Sequence, residues 1–260
     1  MRVVTFNVLH GRSLSNGEVD AGRFQAEIVG LDADVLGLQE VDRAQPRSSR
    51  LDLAALAALA VGEGADYRYV PALMGTPGEP WRAATSGDVE RTDEPSYGVA
   101  LVTRLPVQSW HTVLLKGAPM RSPILLSDSA GGRARVILVR DEPRALVAAV
   151  VDGPGGPMTV ATTHLSFVPG WNVWQLRKVC RELRRLPAPR ILLGDLNIPG
   201  AVAGVLSGWR LLARAATYPG AEPQAQLDHV LCDGPVPGVA GSEARAMGIS
   251  DHRALIVDLK

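Results

Sequence analysis

Short apolar runs and longer amphipathic stretches alternate along this chain. Residues 2–9 read as a buried strand, and residues 34–40 as a second one. Between them Asp20 is placed to cap a helix carrying Phe24 and Ile28. Ser49-x-x-Asp52 resembles a capping-box start for a helix with Leu53, Leu56 and Ala60 on one face, closed by Gly62. Tyr67–Leu73 reads as a strand. Residues 75–95, rich in Gly, Pro, Thr and charge, show no period and read as a long loop. Strand-like runs follow at 97–103, 107–115, 134–140, 144–152 and 157–163, with a hairpin turn at Asp152-Gly153-Pro154-Gly155-Gly156. Asn172 is placed to cap a helix reaching about Leu186, with Leu176, Val179, Cys180 and Leu183 as its buried stripe and Pro187 as its stop. Its charged residues read as a solvated face, with Arg184 and Arg185 near the negative end of the helix dipole. Helices between some strands and hairpins between others predict mixed sheets rather than one parallel sheet.

The strand-like segments share a second regularity. Asn7 follows Val3-Val4-Thr5-Phe6, Glu40 follows Val35–Gln39, and His164 follows Thr159–Thr163. Ile191-Leu192-Leu193-Gly194 runs into Asp195-Leu196-Asn197, which puts Asp195 and Asn197 on one face if the strand continues through them. Asp228 follows a segment ending in Leu227, and Asp251-His252 precedes Ala254–Val257. Burying so many polar groups separately would be costly, so a single convergent site is the economical reading.

Charge narrows the partners. Lys plus Arg and Asp plus Glu both number 27, so the net charge is zero. Nonspecific nucleic-acid binding usually leaves a basic footprint, which the total does not show. Arg far outnumbers Lys, which suits phosphate binding and GC-rich codon usage alike. Cys180 and Cys232 form no metal-type or disulfide-type pattern. No apolar run approaches a membrane span, and Met1 leads directly into the first strand without an apolar leader. A single domain over residues 1–260, a monomer and a cytoplasmic location are expected.

Thr5-Phe6-Asn7, Gln39-Glu40-Val41, Thr163-His164-Leu165, Gly194-Asp195-Leu196-Asn197, Leu227-Asp228-His229 and Ser250-Asp251-His252 resemble, in that order, the blocks of the endonuclease/exonuclease/phosphatase superfamily. That group is also called DNase I-like. The resemblance runs from about Val3 to Val257 and implies a four-layer α/β/β/α sandwich, two mixed sheets packed face to face under outer helices. It also implies an active site at one rim.

The implied chemistry is phosphoester hydrolysis with Mg²⁺ or Mn²⁺. Glu40 is the prime metal ligand, helped by Asn7 and Asp251, because hard cations take few oxygen ligands from such proteins. Asp195 orients or deprotonates the attacking water, and Asn197 holds phosphate. His164 and His252 are the acid/base candidates, with Asp228 fixing His252. Alternation along the strand points His229 away from Asp228; His10 lies near Asn7, and His111 has no supporting context.

The Thr-His-Leu form of the His164 block resembles the nuclease, sphingomyelinase, deadenylase and phosphatase branches, and not the AP-endonuclease type. An AP-endonuclease-type repair nuclease and a non-catalytic domain binding a phosphorylated ligand are the alternatives. The His164 block and neutral charge count against the first, and retention of Glu40, Asp195 and His252 against the second. Val99 stands where relatives often carry Asn, which suggests an altered substrate rim. Trp171 and Trp174 follow His164 closely and offer stacking or apolar surface. Arg82, Arg91, Arg104, Arg121 and Arg133 are loosely placed cations that no spacing argument selects. A small phosphodiester, a phospholipid head group and nucleic acid all remain candidate substrates.

Overall fold

A computed structural model describes residues 1–126, 135–236 and 238–260. In chain order the first half carries β1 (Arg2–Asn7), α1 (Ala21–Leu31), β2 (Val35–Arg43), α2 (Leu53–Val61), β3 (Asp66–Gly75), β4 (Trp81–Ala83), β5 (Ser96–Thr103) and β6 (Val107–Leu115). Then come β7 (Arg121–Leu126), β8 (Arg135–Arg140), β9 (Arg144–Gly153), β10 (Gly156–His164), α3 (Trp171–Leu183) and β11 (Arg190–Asp195). The chain closes with α4 (Val202–Ser207), β12 (Arg210–Leu211), β13 (Asp228–Asp233), β14 (Val239–Arg245) and β15 (Ala254–Leu259).

Two mixed sheets result, in the orders β14-β15-β1-β2-β5-β3-β4 and β12-β13-β11-β10-β9-β6, with β7 and β8 as a separate two-stranded arm. Alternation along the strands builds three apolar layers. In β1, Val3 faces the space between the sheets while Val4 and Phe6 face α1 and α2. In β11, Ile191 and Leu193 face inward, and Leu192 faces the layer of α3 and α4. This is the expected α/β/β/α sandwich. No helix among the described residues is long and apolar enough to cross a membrane.

The sheets approach closely at Gly37, where the sequence offers no side chain. A Cβ on Gly37 of β2 would lie 2.7 Å from Thr162 Oγ1 and 3.1 Å from Leu193 Cβ on the other sheet. Two residues on, Gln39 Nε2 donates to Thr162 Oγ1 at 2.8 Å, and Thr5 Oγ1 donates to Gln39 Oε1 at 3.3 Å. These buried bonds fix the register of one sheet on the other just beneath the polar rim. Gly37→Ala is expected to destabilise the fold by about 1–3 kcal/mol, the usual scale for overpacking. Urea unfolding measures it, and an unchanged midpoint would mean that the sheets separate freely.

Several local expectations need correction. α2 is capped by Asp52 itself, which accepts from Ala55 N–H at 3.0 Å; Ser49 adopts a left-handed turn instead of opening a capping box. α3 starts at Trp171 after Gly170, because the Asn172 side chain is drawn inward to donate to the Asn197 carbonyl at 2.8 Å. It ends at Leu183, short of Leu186. The 75–95 loop holds β4 and a 3-10 turn at Ser86–Asp88, organised by Asp88, which accepts from Thr85 N–H at 2.8 Å and from Arg82 at 2.7 Å. The strand expected at 134–140 is β8 from Arg135, with residue 134 outside the described residues; its partner β7 was not anticipated.

Candidate active site

Topology brings the polar strand ends together. β1 pairs parallel with β2, and β10 pairs parallel with β11, so Asn7, Glu40, His164 and Asp195 emerge at one rim. β13 and β15 run antiparallel to β11 and β1, so their first residues arrive at that rim from the other direction. Asp228 therefore opens a strand rather than closing one. Glu40 lies inside β2, not at its end: its left-handed φ of 56° marks an irregularity in pairing with β5 and turns the side chain toward the rim. β11 ends at Asp195, so Asn197 does not share a strand face with it. Instead Asp195 Oδ1 accepts from Asn197 N–H at 3.0 Å, and a φ of 50° at Asn197 swings its amide back into the site.

The structure gathers all eight candidates. Asp195 is at their centre. Its Oδ2 accepts from Asn7 Nδ2 at 3.1 Å and lies 3.6 Å from His164 Nε2 and 3.7 Å from His252 Nε2. Asn7 Nδ2 also donates to Glu40 Oε1 at 3.0 Å, while its Oδ1 accepts from Leu9 N–H at 3.2 Å. Asn7 thus presents nitrogen, not oxygen, to Glu40. Asp228 Oδ2 bonds His252 Nδ1 at 2.8 Å, and Ser250 Oγ accepts from His252 N–H at 3.1 Å while donating to the Asn7 carbonyl at 2.6 Å. His229 points away as expected, its Nε2 donating to the Ile198 carbonyl at 2.7 Å.

The two histidines are electrically opposite. Burial pulls His252 down, but the hydrogen bond and charge of Asp228, with Asp195 and Asp251, outweigh it and raise its pKa to about 10. His164 is held well below its ordinary value by burial, then by the charges of Arg144 and His252. Arg144 Nη1 lies 3.2 Å from His164 Nδ1, and a guanidinium only donates, so a donor faces Nδ1 while a second donor faces Nε2. Asn197 Nδ2, 3.2 Å from that Nε2, is oriented by its bond to the Leu165 carbonyl at 3.0 Å. Asp195 is raised by burial and by Asp228. Glu40 is raised by burial, with the Asn7 bond and the Arg144 charge opposing it.

A cleft of about 430 Å³ opens over this cluster, with Tyr97, Phe167, Tyr218 and Leu227 around the polar floor. Glu40 and Asp251 both face it, and each raises the cost of ionising Glu40 or its neighbours unless a cation intervenes. That all-oxygen pair fits a hard divalent ion. Asp195, Asp228 and His252 also offer atoms within 4.8 Å of one another, but the short His252–Asp228 bond already occupies two of them.

Arg144 is the site residue that sequence reasoning missed. It is buried and opens β9, opposite the end of β10. The hairpin at Asp152–Gly156 held the signal: Leu146 pairs with Thr163, so Arg144 had to reach the rim beside His164. Other expectations move away from the site. Val99 is buried between the sheets and leaves the rim untouched. Trp171 and Trp174 stack on each other at 4.7 Å, and Trp171 Nε1 donates to the Lys116 carbonyl, so they brace α3 outside the cleft. Arg104 is bound to the Val61 carbonyl and Asp32, and Arg91 to Glu94.

A strand-end cluster of this order on a two-sheet sandwich defines a DNase I-like protein. The chain belongs to the Endonuclease/Exonuclease/phosphatase family, whose sequence model matches residues 4–252. No curated protein matches the chain by sequence. Among solved structures, a family member from Beutenbergia cavernae is similar at 22% identity and a TM-score of 0.64, covering 100% of this chain and 71% of its own. A mannosyl-6-phosphatase from Bacteroides thetaiotaomicron is similar at 17% identity and a TM-score of 0.64, covering 100% and 99%. The human Nocturnin catalytic domain with bound sulfate is similar at 17%, with a TM-score of 0.56, covering 100% and 94%. At these identities the likeness is one of fold.

Proposed function

We propose that this protein is a Mg²⁺- or Mn²⁺-dependent phosphoester hydrolase in which Asp195 positions and deprotonates the attacking water. The arrangement around Asp195 carries the reading: a buried carboxylate between a cationic and a neutral imidazole, with amide donors beside it. Burial moves Asp195 toward neutrality, which makes it a better proton acceptor than an exposed carboxylate. Water oxygen bonds to phosphorus in line as the P–O bond to the leaving group breaks, and the water proton passes to Asp195. His252, kept protonated by Asp228, supplies a positive charge to the phosphoryl oxygens. Asn197 Nδ2 donates to them as well. Burial and the Arg144 charge hold His164 below its ordinary pKa, so it is not the proton source for the leaving oxygen, which departs as an oxyanion and takes its proton from solvent water.

Glu40 and Asp251 would hold the divalent ion, with Asn7 steering Glu40 rather than ligating through its oxygen. When bound, the ion supplies Lewis-acid polarisation of the phosphoryl group. Glu40→Gln is expected to weaken Mn²⁺ binding by about tenfold or more in calorimetry, with far-UV dichroism unchanged. Equal Mn²⁺ affinity in that variant would remove Glu40 from the metal site.

A compact phosphoester, such as a small phosphodiester or a phospholipid head group, is favoured over duplex DNA by zero net charge and by Tyr97, Phe167 and Tyr218 around the cleft. Hydrolysis across small phosphodiesters, phosphomonoesters, phospholipid, RNA and plasmid DNA, with Asp195→Asn as background, tests this reading. Plasmid nicking with a steep salt dependence, abolished by Asp195→Asn, would make nucleic acid the substrate instead.

A further inference from the structure

A second, larger cavity of about 780 Å³ adjoins the catalytic cleft, and Arg140 lines both. It is bounded by the β4 edge, the β6–β7 connection and the end of β8. Its charge is one-sided. Arg121 and Arg140 are direct partners across β7 and β8, so their side chains leave the same face. Like charges placed directly opposite destabilise a strand pair. Both are exposed, and neither forms an ion pair with an acid among the described residues. Lys116 adds a third cation to the wall, also without an acidic partner there. The Arg140 guanidinium carbon lies over the Trp81 ring, 4.8 Å from its centroid, a cation–π contact on the cavity wall. Arg82 contributes less, because Asp88 already grips it through two bonds.

The one acid in the wall does not neutralise this set. Asp141 is buried, with Oδ2 accepting from Ala118 N–H at 2.6 Å and from Ser166 Oγ at 2.7 Å. Its other oxygen lies 3.8 Å from Arg144 on the catalytic side. The same network ties the cavity wall to the loop after His164: Gln175 Nε2 donates to the Lys116 carbonyl while its Oε1 accepts from Ser166 N–H. The cavity is therefore built onto the active site and braced by buried bonds, and its exposed cations find no acidic partner among the described residues.

We propose that Lys116, Arg121 and Arg140 form a second phosphate subsite, so that the preferred substrate carries a further phosphate beside the scissile one. The proposal rests on the hydrolase reading for the word substrate, but anion binding at the subsite does not. An orienting phosphate held there would place the scissile group over Asp195 and lower KM more than it changes kcat.

Two measurements on the full chain separate the possibilities. The first is calorimetry with inorganic tripolyphosphate in EDTA, which needs no turnover. Wild type should bind it, and Arg121→Gln/Arg140→Gln should lose about tenfold or more in affinity, the scale of losing charge-assisted contacts. Arg177→Gln/Arg181→Gln, on the exposed face of α3, should bind like wild type and so exclude a net-charge effect. Equal affinity in all three proteins, or no binding by wild type, would overturn the subsite even if hydrolysis is efficient. The second compares KM for a dithymidine phosphodiester with and without a 5′-phosphate, and for a sugar bisphosphate against its monophosphate. The extra phosphate should lower KM in at least one pair, which also identifies its source. The Arg121/Arg140 variant should raise KM at least tenfold more for the phosphate-bearing member. No KM advantage in either pair would contradict the proposal. Absence of any hydrolysis would refute the hydrolase reading and leave the calorimetric result to decide the subsite.

Discussion

Asp195→Asn is expected to reduce turnover by roughly 10²–10⁴-fold, the range for a positioned acid/base group, while the protein stays folded. An amide preserves shape and one acceptor oxygen. It cannot take a proton from water, and its NH₂ would face either the Asn7 amide donor and the two imidazoles around the present Oδ2 or the Asn197 N–H that now bonds Oδ1. The fold should tolerate the change because a carboxylate raised by burial stands to gain from losing its charge. Steady-state kinetics on whichever phosphoester proves best, alongside thermal unfolding, checks both halves. Retention of more than a tenth of the wild-type rate would displace Asp195 from the centre of the mechanism.

The second large effect is expected at Asp228→Asn. Asp228 contributes the hydrogen bond and the largest single charge that raise His252 to about 10. Replacing it should lower the His252 titration toward its ordinary value, observable by NMR of the metal-free protein, and slow turnover by about 10²-fold or more. The stability consequence has a definite sign. His252 is raised on folding, so its contribution is fully present below about pH 6.5 and is lost as pH rises through about 10. The stability gap between wild type and Asp228→Asn should therefore be widest near pH 6.5 and narrow toward pH 10. An unchanged His252 titration in the variant would exclude Asp228 from the mechanism.

Much of the candidate site was legible because each candidate side chain sits at a discontinuity in a strongly apolar segment. Val3–Phe6 and Ile191–Leu193 could only be strands, and a polar group at such an end must face a site or water. Ordered blocks then supplied roles that alternation could not. Where alternation was extended past a strand end it failed: Asn197 reaches the site through a left-handed turn that depends on the Asp195 side chain. Asp228 was assigned to the end of the preceding segment because Leu227 is apolar, although β13 begins at Asp228. Arg144 was hidden because strand-start residues carry no distinctive spacing, and its importance arises from burial against His164. Burial and the neighbouring Arg144 charge, which hold His164 below its ordinary pKa, were hidden for the same reason. β7 pairs only with β8 and joins neither large sheet, so no core pattern announced it. Val99 was read as a rim residue from the family resemblance alone; it is buried in one apolar cluster with Val70 and Val147.

Hydrolysis of a phosphoester by metal-stripped wild-type protein, followed before and after Mn²⁺ addition with Asp195→Asn in parallel, tests the central claim most directly. The account predicts no turnover in EDTA, its appearance on adding Mn²⁺, and near-background rates for Asp195→Asn at every Mn²⁺ concentration. Undiminished turnover in EDTA, or equal rates for wild type and Asp195→Asn, would contradict it.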